Sequence, residues 1–152
     1  MKTDKKRIGI LNNIKIFVFI LVILLVLSCN YRTPSRIRFE NNLNIKIPKD
    51  IKVIKDEYDG NIGDYSIEYE IKMSEEDCKV LINSIRNSVY FNPNVVVFYK
   101  IEDSLFKDTN GIKGVWYKAG YGYFFENKWG RDIYSADVDT IKLIAKFSES
   151  HD

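Results

Sequence analysis

Two periodicities meet at Ser74. Before it, Tyr65, Ile67, Tyr69, Ile71 and Met73 alternate strictly with Ser66, Glu68, Glu70 and Lys72, the period of a β-strand with one apolar and one charged face. After it, Cys78, Leu81, Ile82, Ile85 and Val89 recur at helical spacing, which predicts a helix over about 75–88 with a single apolar stripe. Ser74 stands where an N-cap should. Glu75 and Glu76 fill the first turn, where negative charge meets the positive end of the helix dipole, and Asp77 occupies the place of a capping-box acid. A chain that changes from strand to amphipathic helix this abruptly must bury the helix stripe against the apolar face of a sheet.

The remaining patterns are those of strands and turns. Leu43, Ile45 and Ile47 alternate before Pro48, a short strand that Ile51–Ile54 can continue, and Asp56–Asp64 is turn-rich. Val95–Tyr99 is a β-branched and aromatic run suited to a central strand, followed by a polar loop over Glu102–Gly111. Val115–Phe125 is expected as one long aromatic strand, Asn127–Asp132 as a turn, Ile133–Asp137 as a weak strand, and Ile141, Leu143, Ala145 and Phe147 as the alternating face of a last one. One helix among strands, without regular β-α alternation, predicts an α+β fold. The expectation is a small single domain over 43–152, mainly an antiparallel sheet of about five to six strands with the helix packed on one face.

The N-terminal segment has a different composition. Lys2 to Lys15 supply cations, Ile16–Leu27 is an unbroken apolar run, and Ser28 precedes Cys29. A spanning helix needs about 20 apolar residues; counting back that far from Leu27 crosses Lys15, Asn13 and Asn12. A cationic head, a short apolar stretch and a small residue are the parts of a secretory signal. The ending Val26-Leu27-Ser28-Cys29 resembles the lipobox of bacterial lipoproteins. That resemblance covers only the leader, and Leu27 is a less typical residue at its place. It implies a signal peptide over 1–28, a lipid anchor on Cys29, and a mature protein tethered to a membrane of the cell envelope, facing the periplasm or the cell surface. The alternative is an uncleaved anchor helix over about Ile8–Leu27 with Lys15 snorkelling, which gives the same topology.

Charge follows this division. Of the overall +2, Lys2, Lys5, Lys6, Arg7 and Lys15 against Asp4 place +4 in the leader and leave −2 for residues 29–152. The latter divides again into +5 over 29–55 and −7 over 56–152. A mildly acidic body gives no electrostatic footprint for nucleic acid. Residues 29–42, with Arg32, Arg36 and Arg38 among Thr33, Pro34 and Ser35, read as a flexible basic tether, either a plain linker or one attracted to anionic lipid.

Chemistry is sparse. His151 is the lone histidine and stands beside the C-terminus, where chains often fray, so histidine-based acid–base work, nucleophilic triads and histidine metal sites lack their central residue. With Cys29 acylated, Cys78 has no disulfide partner in the chain and is expected as a buried thiol. No dinucleotide or phosphate loop fits, and no cofactor or metal is implied. Asp56, Glu57, Asp59 and Asp64, with Gly60, Asn61 and Gly63 between them, do not match an EF-hand and read as a solvated hairpin loop.

The aromatic segment is the strongest feature of the body. Trp116, Tyr117, Tyr121, Tyr123, Phe124, Phe125 and Trp129 lie within fourteen positions, with Gly120 and Gly122 interleaved. They can be core beneath the helix, or Trp116, Tyr117, Tyr121, Tyr123 and Trp129 can form a platform for a protein partner or for glycan. Three functions are consistent with these residues: a non-catalytic binding module such as an immunity-type inhibitor of a toxin in the envelope, a carboxylate-based envelope hydrolase, or a structural lipoprotein of an envelope complex.

Overall fold

The computed structural model describes residues 33–61, 63–95, 101–109, 111–127 and 130–151, and Val18. The chain divides into two units, 1–33 and 34–152, and every element below belongs to the second. In chain order these are helix α1 (Ser35–Asn42), strands β1 (Lys52–Gly60) and β2 (Tyr65–Lys72), helix α2 (Glu75–Arg86), a 3-10 turn (Asp103–Leu105), and strands β3 (Lys107–Thr109), β4 (Ile112–Ala119), β5 (Gly122–Asn127), β6 (Asp132–Asp139) and β7 (Ile144–His151). The strands form one antiparallel sheet in the order β1-β2-β7-β6-β5-β4-β3. The α+β class follows from the two periodicities at Ser74, and among the described residues the sheet has seven strands rather than five or six.

The strand–helix junction is built as the sequence requires. Ile67, Tyr69, Ile71 and Met73 are buried, and the Ser74 hydroxyl accepts from the Asp77 amide at 3.1 Å. From α2, Cys78, Leu81 and Ile85 enter the main core beside Tyr69, Ile71, Trp116, Tyr123, Phe125 and Phe147. Cys78 is the expected buried thiol, and burial pushes its pKa up.

Several local expectations are corrected. Val115–Phe125 is a hairpin, not one strand. β4 and β5 join through Gly120 and Tyr121, with Ala119 paired to Gly122 and Gly120 in the left-handed region at φ 49°. A two-residue turn inverts the alternation, so Trp116 from β4 shares the core face with Tyr123 and Phe125 from β5. Gly122 is required there, since a Cβ would lie 1.9 Å from the Val138 carbonyl oxygen on β6.

Residues 35–42, expected as tether, are the helix α1. Phe39 is fully buried and stacks on Phe147 at 5.5 Å. Leu43, Ile45 and Ile47 are buried but form no strand. Asn44 takes a positive φ of 52°, and the neighbouring amides find other acceptors: Ile45 N–H donates to the Glu40 carbonyl, Lys46 N–H to the Ser84 hydroxyl and Ile47 N–H to the Glu40 carboxylate.

The turn-rich stretch is mostly strand, because β1 stays paired to β2 through Gly60. The polar loop contains β3, and Ile141–Leu143 is a turn in which Leu143 has φ 58°. The strand expected over Val95–Tyr99 falls outside the described residues except for Val95, which is buried.

Candidate functional site

The four candidate aromatics within the described residues do not share one exposed face. Trp116 has no exposure, and its indole N–H donates to the Leu43 carbonyl at 3.0 Å. Tyr123 lies in the same core, its hydroxyl accepting from Arg86 at 2.8 Å. Tyr117 is buried on the opposite face of the sheet, in a second cluster with Val95, Ile101 and Val115 flanked by Leu105, Phe106 and Phe124. Tyr121 alone is exposed, at the β4–β5 turn. Trp129 and Cys29 lie outside the described residues.

Pairing registers define the two faces. The core face carries both helices and the 43–47 segment. On the outer face, Val95, Ile101, Leu105 and Phe106 pack over β4, whereas β5, β6, β7 and β2 present polar side chains. A groove of about 580 Å³ crosses this open part, with Phe124, Glu126, Ser135, Asp137, Lys146 and Glu70 along it and Lys55 and Glu68 at its β1 end. One register row sets Glu70 beside Lys146 and Lys146 beside Asp137; the next sets Glu68, Ser148, Ser135 and Glu126 across four strands.

Most cations here are committed. Lys55 bridges Glu57 at 3.1 Å and Glu68, which holds the Glu68 carboxyl below its usual range. Lys146 pairs with Glu70 at 3.7 Å, and Lys142 with Asp139 at 3.4 Å. Glu126 accepts from the Tyr117 hydroxyl, whose pKa is raised by burial first and by this bond second. Asp137 Oδ2 receives only a long 3.4 Å bond from Tyr121, and Oδ1 is buried with no partner among the described residues. Five carboxylates against three lysines leave the face acidic, with Phe124 as an apolar wall.

A second polar cluster lies on the core face near the C-terminal end of β7. Glu149 has a fully buried side chain that receives both Arg38 nitrogens and the Tyr65 hydroxyl at 2.6 Å. Its hydrogen bonds to the guanidinium, and then its charge, raise Arg38 above the ordinary range, while burial and then the bond to Glu149 push Tyr65 up to about 12. His151 is held, not frayed. It is paired in β7, stacks on Tyr65 at 5.3 Å and 3°, and meets the Asp132 carboxylate through Nδ1.

The open face was legible in part, since Glu68, Glu70 and Lys72 already mark one side of β2 as solvated. Asp137 and Lys146 could have been found from alternation in β6 and β7, once those strands were given their full lengths. The Arg38–Glu149 pair had no local signal. Among the described residues no group of His, Cys, Asp and Glu is placed to hold a metal ion, and no helix is long and apolar enough to cross a membrane. Compared with known proteins, the chain matches no family model, no curated protein and no solved structure.

Proposed function

We propose that the protein is a lipoprotein of the bacterial cell envelope, anchored through acylated Cys29, whose domain is a non-catalytic binding module for a protein partner. The single observation that carries the binding role is the open outer face. Its carboxylates exceed its lysines, it has an aromatic wall, and it lies on the side of the sheet opposite the main core. A surface that adds little to stability yet concentrates charge beside an aromatic ring suits recognition. Inhibition of a toxin acting in the envelope is the specific form this reading takes.

The anchor rests on the lipobox residues, and metabolic labelling with palmitate tests it. Label is expected on the wild-type chain and absent from Cys29→Ala; label on both or neither contradicts it. For the binding role, a photoreactive amino acid at Ser135 on the open face should give a discrete cross-linked adduct in living cells, while one at Val80, exposed on α2, should not. Adducts from Val80 alone would move the interface away from the groove.

A further inference from the structure

The sheet's two edges are unlike. β3 has three residues, whereas β1 has nine and, among the described residues, β2 is its one strand neighbour. Short edges limit pairing with other chains, and long ones invite it. β1 is exposed along almost its whole length, with Val53, Ile54 and Tyr58 each about half exposed (48%, 48% and 47%). Its bulge falls between Val53 and Lys55, so Lys55–Gly60 is a regular six-residue run paired to Tyr65–Glu70.

This run has a defined chemistry. Lys55, Glu57 and Asp59 stand on the outer face, continuous with the groove, and Asp56 and Tyr58 on the other. Glu57 lies directly opposite Glu68, a like-charge pair bridged by Lys55. A strand laid along β1 would set its own side chains opposite Glu57 and Asp59, so basic residues there complete the row, with an apolar one opposite Tyr58.

We propose that β1 is a strand-addition site that takes an extended, basic segment of a protein partner, with main-chain bonds to Lys55–Gly60 and alternating cations beside Glu57 and Asp59. This rests on the binding-module reading and specifies how the partner engages. A second copy of this chain fits worse. Antiparallel pairing about a two-fold axis sets the central residue opposite itself, which makes Lys55, Asp56 or Glu57 face its own copy, and centring on Tyr58 sets Glu57 against Asp59.

The test is amide hydrogen exchange on the full chain in detergent, with acetyl-Lys-Val-Lys-Val-Lys-Ile-Lys-amide as probe. At saturating peptide, exchange over 55–60 should slow about tenfold or more. The same peptide N-methylated at alternate residues, and a glutamate-for-lysine version, should have no effect. Glu57→Lys/Asp59→Lys should abolish protection at an unchanged melting temperature. Absence of protection over 55–60 overturns the proposal. Protection in β5 and β6 instead also overturns it, while leaving the binding reading intact. Protection of β1 that rises with protein concentration alone assigns the edge to a second copy and overturns it as well. In-cell cross-linking from Ser135 reads the binding role independently of all these outcomes.

Discussion

The two faces of this sheet are made by alternate residues of the same strands, yet they do different work. On the core face, Trp116, Phe125, Tyr69 and Phe147 are buried beneath the helices, and Glu149 is the one buried charged side chain among the described residues, enclosed by Arg38 and Tyr65. On the outer face, lysines and carboxylates stand in solvent, with a half-buried Phe124 beside them. A buried charge needs its partners and a buried aromatic needs its shape to be filled, so the first face is intolerant of change. Exposed charges in water are held by weak, screened contacts, so the second can change composition with little effect on folding.

The comparison is broken most easily at Trp116. Trp116→Ala leaves a cavity and takes the indole donor from the Leu43 carbonyl, which keeps only the longer bond from the Ser88 hydroxyl, and should lower unfolding free energy by about 4 kcal/mol. A loss under about 1 kcal/mol in denaturant titration would put the indole outside the core. Glu149→Ala comes next, at about 3 kcal/mol, toward the low end for a buried pair because Arg38 keeps 27% of its side chain exposed. Replacing both partners with Leu and Met should recover much of it.

Alkaline pH sharpens the same contrast. Tyr65 is raised in the folded protein from 10.0 to about 12, so the stability contributed by its protonated form is complete below about pH 10 and is lost as pH rises through 12. Tyr117 and Tyr134 shift in the same direction. Melting temperature should fall between pH 10 and 12, with a shallower fall in Tyr65→Phe. A flat profile would show that these hydroxyls ionise freely in the native state.

Legibility in sequence tracks how local each cause is. Ser74, its acidic first turn and the two flanking periods interact within a few residues, so the strand–cap–helix unit is readable. The β4–β5 hairpin is not, because alternation read through Gly120 and Tyr121 continues smoothly; only the pairing of Ala119 with Gly122 reveals the inversion. The inversion is why Trp116 and Tyr123, an odd number of positions apart, share one face. Helix α1 is eight residues with one large apolar anchor, Phe39, and its fixing contact joins Arg38 to Glu149 across 111 positions, beyond any window. Leu43, Ile45 and Ile47 show the converse, since their alternation correctly marks burial while the backbone is bonded to helix α1 carbonyls and to side chains instead of a strand.

The smallest structural effect is expected where the functional one is largest. Ser135→Lys adds a long cation to the open face at the cost of a Ser135–Ser148 hydrogen bond, and should change stability by no more than about 0.5 kcal/mol. Measured in cells with the photoreactive residue at Ser148, the adduct should be lost in Ser135→Lys while the melting temperature holds. An adduct that persists at full yield in the folded variant would contradict the assignment of recognition to the open face.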